Sequence, residues 1–217
     1  MSRSAKFPRL TPGELVKERA GGALILDARP AQRFASLHIR GAIQISLAGR
    51  FASWAALLMK PDQKLVIVAD SQQDAEEAEI RLSRVGFERI LGYSLADEKQ
   101  WREERIELSS IRVQVCANIC SRMEHDPPPQ LIDVRSRSEW LRGHLPGAIS
   151  MPLLDLDSRT QLIDFARPGL VYCQEGYRAT TAASILRRET SAEIAILIDG
   201  IEGWAASGLP LEVPDTK

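Results

Sequence analysis

The chain has 217 residues, of which 44% are hydrophobic and 26% charged, and its formal net charge is −1. That length allows two compact domains of about 100 residues or one large one, and the composition is that of an ordinary globular protein. No basic run is long enough to follow a nucleic-acid backbone and no apolar stretch exceeds strand size, so neither nucleic acid nor a membrane is an expected partner.

The first residues lack the apolar core of a signal peptide. Three cysteines, an odd and small count, do not make a disulfide framework and suit a reducing compartment. These features lead to the expectation of a cytoplasmic protein. His38, His125 and His144 have no metal-ligand spacing with each other or with the cysteines, so neither metal nor cofactor is expected.

In chain order, Thr11-Pro12 followed by Glu14 predicts a helix start with a capping box and proline at the first helical position. An internal repeat comes next. Residues 24–47 and 130–153 align without gaps, and seven of the 24 positions are identical: Asp27/Asp133, Arg29/Arg135, His38/His144, Gly41/Gly147, Ala42/Ala148, Ile43/Ile149 and Leu47/Leu153. A duplicated domain follows. Each half then has a short apolar run rich in β-formers, Leu65 to Val68 and Leu170 to Tyr172, predicted as a buried strand. A helical pattern follows each, through Ala75, Ala78 and Leu82 and through Ala179, Ala182, Ala183 and Leu186. A further strand (Arg89 to Leu91; Ile194 to Ile198) and a tryptophan (Trp101; Trp204) close each unit. Alternating strands and helices predict an α/β fold, two domains each with a mainly parallel sheet flanked by helices. The charged stretch Arg102 to Ser110 reads as the linker. The expected domains are 1–106 and 107–217. Cys116 and Cys120, at i and i+4, are expected on the packed face of one helix. Pro127-Pro128-Pro129 reads as a stiff turn before the second core strand.

The chemistry-bearing segment is Cys173-Gln174-Glu175-Gly176-Tyr177-Arg178. The strand ending at Tyr172 puts Cys173 at its C-terminal edge, where open α/β sheets bind ligands. A helix starting near Arg178 or Ala179 aims its N-terminus at the same spot. Successive backbone N–H groups there can form an anion nest that suits a thiolate or a persulfide anion. Free cysteines are often buried structural thiols, but the strand–loop–helix setting with Gly176 and Arg178 argues for a nucleophile. Aligning the two helical patterns sets Ala69 opposite Cys173, Gln72 opposite Gly176 and Asp74 opposite Arg178, so the first half lacks nucleophile, glycine and cation. Because His38 and the Asp27/Arg29 pair persist in that half, His144, Asp133 and Arg135 read as structural.

Cys-x-x-Gly-x-Arg after a buried strand resembles the active-site loop of the rhodanese family. Asp133-Val134-Arg135, Glu139-Trp140 and Gly143-His144-Leu145-Pro146-Gly147-Ala148 resemble its upstream motif, and Asp199-Gly200-Ile201-Glu202-Gly203-Trp204 its downstream segment. The resemblance implies a catalytic Cys173 carrying a persulfide, with the amides of Gln174, Glu175, Gly176, Tyr177 and Arg178 binding substrate. It also implies an inactive first domain paired with a catalytic second one. Phe51 to Trp54, Leu65 to Asp70 and Arg84 to Tyr93 are similar to the tandem rhodanese region fused to metallo-β-lactamase-fold persulfide dioxygenases, which adds such a dioxygenase as a candidate partner.

Three function classes follow. A sulfurtransferase would pass sulfane sulfur from thiosulfate or a low-molecular-weight persulfide to a thiol or cyanide. A carrier or docking module would present the persulfide to a sulfide-oxidising partner. A cysteine-dependent phosphatase or arsenate reductase would use a wider cradle, with five residues between cysteine and arginine rather than the four present here. Glu175, beside Arg178, partly offsets the cation and favours a persulfide donor over dianionic thiosulfate.

Overall fold

The computed structural model describes residues 7–119, 128–190 and 192–214. The chain divides into two compact units between Ser110 and Ile111. The first unit begins with helix α1 (Pro12–Ala20), capped as expected by the reciprocal Thr11–Glu14 box. Strands β1 (Leu24–Asp27), β3 (Ile43–Gln44), β4 (Leu65–Ala69) and β5 (Ile90–Leu95) form a parallel sheet in the order β3-β1-β4-β5. Helices α2 (Ala31–Ser36), α3 (Phe51–Leu58), α4 (Gln72–Ser83) and α5 (Glu98–Glu103) connect and flank these strands. Ala75, Ala78 and Leu82 of α4 are fully buried, as their helical spacing requires.

The second unit repeats this plan with one more edge strand. Strands β7 (Arg112–Gln114), β8 (Gln130–Asp133), β9 (Ile149–Ser150), β10 (Gly169–Tyr172) and β11 (Ile194–Leu197) run parallel in the order β7-β11-β10-β8-β9. Helices α6 (Arg137–Trp140), α7 (Leu156–Arg159), α8 (Tyr177–Glu189) and α9 (Gly200–Ala206) complete it. Strands β8 and β10 are buried along their whole length, the pattern of a parallel sheet covered on both faces. Pro128 and Pro129 lead directly into β8, whereas Pro127 lies outside the described residues.

The repeat is reproduced bond for bond. Arg29 forks onto Asp27 and reaches the Leu37 carbonyl at 2.9 Å; Arg135 forks onto Asp133 and reaches the Gly143 carbonyl at 2.7 Å. His38 lies flat on Phe34 with ring centroids 3.8 Å apart, and His144 on Trp140 at 3.5 Å. In both cases Nδ1 meets the carbonyl of the same aromatic residue. Both histidines are therefore structural, as their persistence in the two halves indicated.

The stretch 102–110 is not a free linker. Strand β6 (Leu108–Ser109) pairs antiparallel with β2 (His38–Ile39), next to an Arg40–Glu107 ion pair. The second unit does the same at its end, where Glu212 pairs with His144. Each repeat finishes by tying its last residues to its histidine turn, and the first compact unit runs to Ser110. Charge along 102–107 concealed this, because the pairing needs only two residues and its partner strand is equally short. Of the expected Cys116–Cys120 face, Cys116 is buried and opens a 3₁₀ turn at 116–118, and Cys120 lies outside the described residues.

The Asp133–Arg135 pair is buried on both sides, with side-chain exposures of 0% and 4%. Removing one member of such a pair strands the other charge. We expect Arg135→Met to cost about 3–5 kcal/mol in urea unfolding of the second unit, and the double change Asp133→Leu/Arg135→Met to recover part of that loss. A single variant no less stable than the double would contradict this account of the pair.

Candidate active site

Strand register places the loop. Asp27 stands beside Val68 and Asp133 beside Tyr172, so the next residues, Ala69 and Cys173, are equivalent without reference to any loop alignment. Cys173 leaves β10 at the C-terminal edge of the sheet with 1% exposure. Behind it, Tyr172 is pinned: its hydroxyl accepts from the Leu145 amide at 3.1 Å, and the Arg135 guanidinium lies over its ring. Burial pushes the Tyr172 phenol well above the ordinary tyrosine range, so it acts as a neutral wedge.

Two glycines shape the turn. Gly176 holds φ +83° immediately before α8, and a Cβ there would meet the Ile198 carbonyl oxygen. Gly200 holds φ +55°, and a Cβ there would strike the carbonyl oxygens of Cys173 and Gln174. The start of α9 thus packs against the loop backbone, and the Ile201 amide donates to the Cys173 carbonyl at 2.9 Å. Asp199 anchors this contact from the other side, accepting from the Cys116 amide at 2.9 Å and from the Cys116 thiol at 3.3 Å. Cys116 is therefore a buried structural thiol behind the loop.

The backbone of 173–176 curls over the start of α8, and Gly176 has no side chain to cap it. The first N–H groups of a helix have no partner within the helix, so they offer donors and a positive dipole end to an anion held in the loop. Thr180 Oγ1 donates to the Gly176 carbonyl at 3.0 Å and fixes the first turn. Gln174 is partly buried and donates to Glu202 at 2.6 Å. Glu175 is exposed at the tip, and Tyr177 is the partly buried first residue of α8.

The Arg178 guanidinium is already paired, and its partner is Glu139. Both of its terminal nitrogens donate to both oxygens of Glu139, each at 2.7 Å, with side-chain exposures of 19% and 18%. Glu139 is held in turn by the Ser136 amide at 3.0 Å and hydroxyl at 2.7 Å in the capping box of α6. The Arg178 hydrogen bonds, against partial burial and with help from Ser136, lower the Glu139 carboxyl to about 2. Arg178 is pushed up first by its bonds to Glu139 and, beyond an opposing burial effect, by the charge of the Cys173 side chain. Glu139 was visible in the sequence as the fourth residue of Ser-x-x-Glu, a capping-box signature. Nothing in that signature announces a second partner 39 residues away.

The first unit shows the same frame with inverted charge. The repeat offset sets Arg33 opposite Glu139, and the helix alignment sets Asp74 opposite Arg178. Arg33 pairs with Asp70 at 3.3 Å. Helix α4 is closed at its start by Ser71, whose hydroxyl accepts from the Asp74 amide at 3.1 Å and contacts the Asp74 carboxylate at 2.7 Å. A cavity of about 320 Å³ remains there, lined by Ala69, Asp70, Asp74 and Glu77. It has no thiol and no left-handed glycine, and its charged lining is three carboxylates and Arg29.

Two measurements check this geometry. Gly176→Ala should lower the thermal midpoint more than Gly147→Ala. Gly147 shares a positive φ of 70° but faces open space, so it should lose only the about 1–2 kcal/mol of left-handed strain. Equal losses would contradict the tight Gly176–Ile198 approach. The second measurement concerns acid. A carboxyl lowered from 4.5 to about 2 in the folded state gives stability that is complete above the unfolded value and lost as pH falls through the folded one. The stability gap between wild type and Glu139→Gln should therefore be constant above pH 4.5 and close between pH 4.5 and about 2. A gap independent of pH would contradict it.

Comparison with known proteins agrees with this architecture. The family described as "Rhodanese-like domain" matches residues 11–96 and again 117–207. A "Sulfurtransferase" of Allochromatium vinosum is 31% identical over 85 residues, covering 39% of this chain and 79% of that protein. The "HTH-type transcriptional regulator Rv0324" of Mycobacterium tuberculosis is 32% identical over 83 residues, or 38% of this chain, which spans only 37% of the regulator's length. Among solved structures, a thiosulfate sulfurtransferase of Pseudomonas aeruginosa aligns with 90% of this chain and 41% of its own, at 20% identity and a TM-score of 0.40. With matches in both halves covering most of its length, the chain belongs to the rhodanese family and carries two rhodanese-like domains.

Proposed function

We propose that the chain is a sulfurtransferase whose single active centre is Cys173. The observation that carries this reading is the placement of a thiol at the end of β10, under the uncapped start of α8, in one half only. Membership of the family and the match to a sulfurtransferase in Allochromatium vinosum support it. In the first step the Cys173 thiolate attacks the outer sulfur of a donor R–S–SH. The donor's S–S bond breaks, Cys173 becomes Cys–S–SH, and R–S⁻ leaves with the electron pair. With thiosulfate the same attack gives the persulfide anion and sulfite. In the second step a thiolate or cyanide attacks the outer persulfide sulfur, forming R′–S–SH or thiocyanate and returning the Cys173 thiolate. No external oxidant or reductant enters. Loop N–H groups and the α8 dipole face the negative charge in both the thiolate and the persulfide.

Four residues between Cys173 and Arg178 favour this reading over phosphate or arsenate chemistry, as does the occupation of Arg178 by Glu139. A tetrahedral oxyanion needs a cation with a free fork, whereas a single sulfur atom needs only backbone donors.

Thiocyanate release from a sulfane-sulfur donor in the presence of cyanide is the direct test. We expect Cys173→Ser to reduce it to background, and Cys120→Ser to leave it within about threefold of wild type, since small changes away from the reacting atoms alter rate by less than about 1 kcal/mol. Full turnover in Cys173→Ser would overturn the assignment. Stoichiometric sulfur uptake by Cys173 with negligible turnover would point instead to a carrier.

A further inference from the structure

The Glu139–Arg178 pair has a consequence for donor choice, and it rests on the sulfur-transfer reading of Cys173. Arg178 is the cation of the loop, at the second position of α8. Yet both arms of its fork are filled by Glu139, which Ser136 holds at the start of α6 so that it cannot swing away without breaking a capping box. Two more carboxylates stand at the rim: Glu202, bonded to Gln174, and Glu175, exposed at the loop tip. One cation is thus matched by one fixed carboxylate in direct contact and two nearby. A dianionic donor approaching this rim meets no uncompensated positive charge from the loop side chains. It is left with the backbone amides and the helix dipole, worth about half an elementary charge. A donor whose reacting sulfur carries one negative charge or none does not need the cation.

We infer that Glu139 is a specificity-determining positioning residue, which by occupying Arg178 restricts the Cys173 loop to organic persulfide donors and disfavours thiosulfate. Its own atoms do not touch the transferred sulfur. Charge neutralisation at Arg178 and the rigid hold on the loop are two effects of one contact, and only the first depends on donor charge.

The test compares thiosulfate with cysteine persulfide, whose net charge is −1 when its sulfur is ionised, as donors to the full chain, read as kcat/KM for each. Wild type should prefer the persulfide, and its kcat/KM for thiosulfate should rise with added salt, because screening relieves repulsion at a negative rim. In Glu139→Gln the ratio of thiosulfate to persulfide kcat/KM should increase at least tenfold, mainly through a lower KM for thiosulfate, and the salt dependence should reverse sign. Glu139→Asp should stay near the wild-type ratio, and adding Arg178→Gln to Glu139→Gln should abolish the gain. Parallel losses for both donors in Glu139→Gln would reduce Glu139 to a structural residue and overturn the proposal. So would a thiosulfate gain that survives loss of Arg178. The wild-type salt dependence keeps the idea testable if the variants fold poorly: a thiosulfate kcat/KM that falls with salt would mean an available cation and overturn it. Failure of Cys173 to take up sulfur from either donor, read by intact mass, would instead remove the sulfur-transfer reading itself, and this proposal with it.

Discussion

The buried fork between Asp133 and Arg135 is the contact on which the site depends. It forms where β8 leaves the sheet, and three things follow from its position. Arg135 reaches across to the Gly143 carbonyl and sets the turn that ends in His144. Its guanidinium lies over Tyr172, the last residue of β10 before Cys173. The chain that leaves the fork enters α6 directly, with Ser136 as cap and Glu139 in its first turn. One ion pair therefore fixes the end of the strand bearing Cys173 and the origin of the carboxylate that holds Arg178. A buried pair is a poor source of net stability but a strong constraint on conformation once its alternatives are unpaired charges.

The first unit separates what the fold needs from what the proposed chemistry needs. It keeps the Asp27–Arg29 fork, the stacked histidine and the same strand register, so these belong to the frame. It lacks the thiol and the left-handed glycine, and its helix start is closed by Ser71 and Asp74 rather than left open. Where the second unit has a carboxylate on α6 and a cation on α8, the first has an arginine on α2 and acids at the start of α4. The start of α4 is thus occupied by the chain's own Ser71 hydroxyl, which bonds the Asp74 amide.

Much of this was legible in the residues. The duplicated architecture followed from identities that fall on Asp, Arg, His and Gly rather than on interchangeable apolar positions. The start of α1 followed from Thr11, Pro12 and Glu14, and the buried face of α4 from Ala75, Ala78 and Leu82, because caps and helical periodicity are local properties. The pairing of Ala69 with Cys173 came from helix alignment and agrees with the strand register. What escaped were contacts between distant segments. The pairing of Arg178 with Glu139 escaped because the two residues lie 39 apart and Glu139 already has a local role as a capping residue. The β6 pairing was hidden by a charged stretch, and the hold of Asp199 on Cys116 joins residues 83 apart. Sequence patterns report which face of an element is buried; they do not report which of two available partners a charged side chain takes.

In the proposed reaction Cys173 alone stores sulfur between the two half-reactions. Intact mass of the full chain tests it most directly, measured after exposure to a sulfane-sulfur donor and again after cyanide. The wild-type chain should gain one sulfur that cyanide removes and that is missing in Cys173→Ser. A sulfur adduct that persists in Cys173→Ser, or none in the wild-type chain, would contradict it.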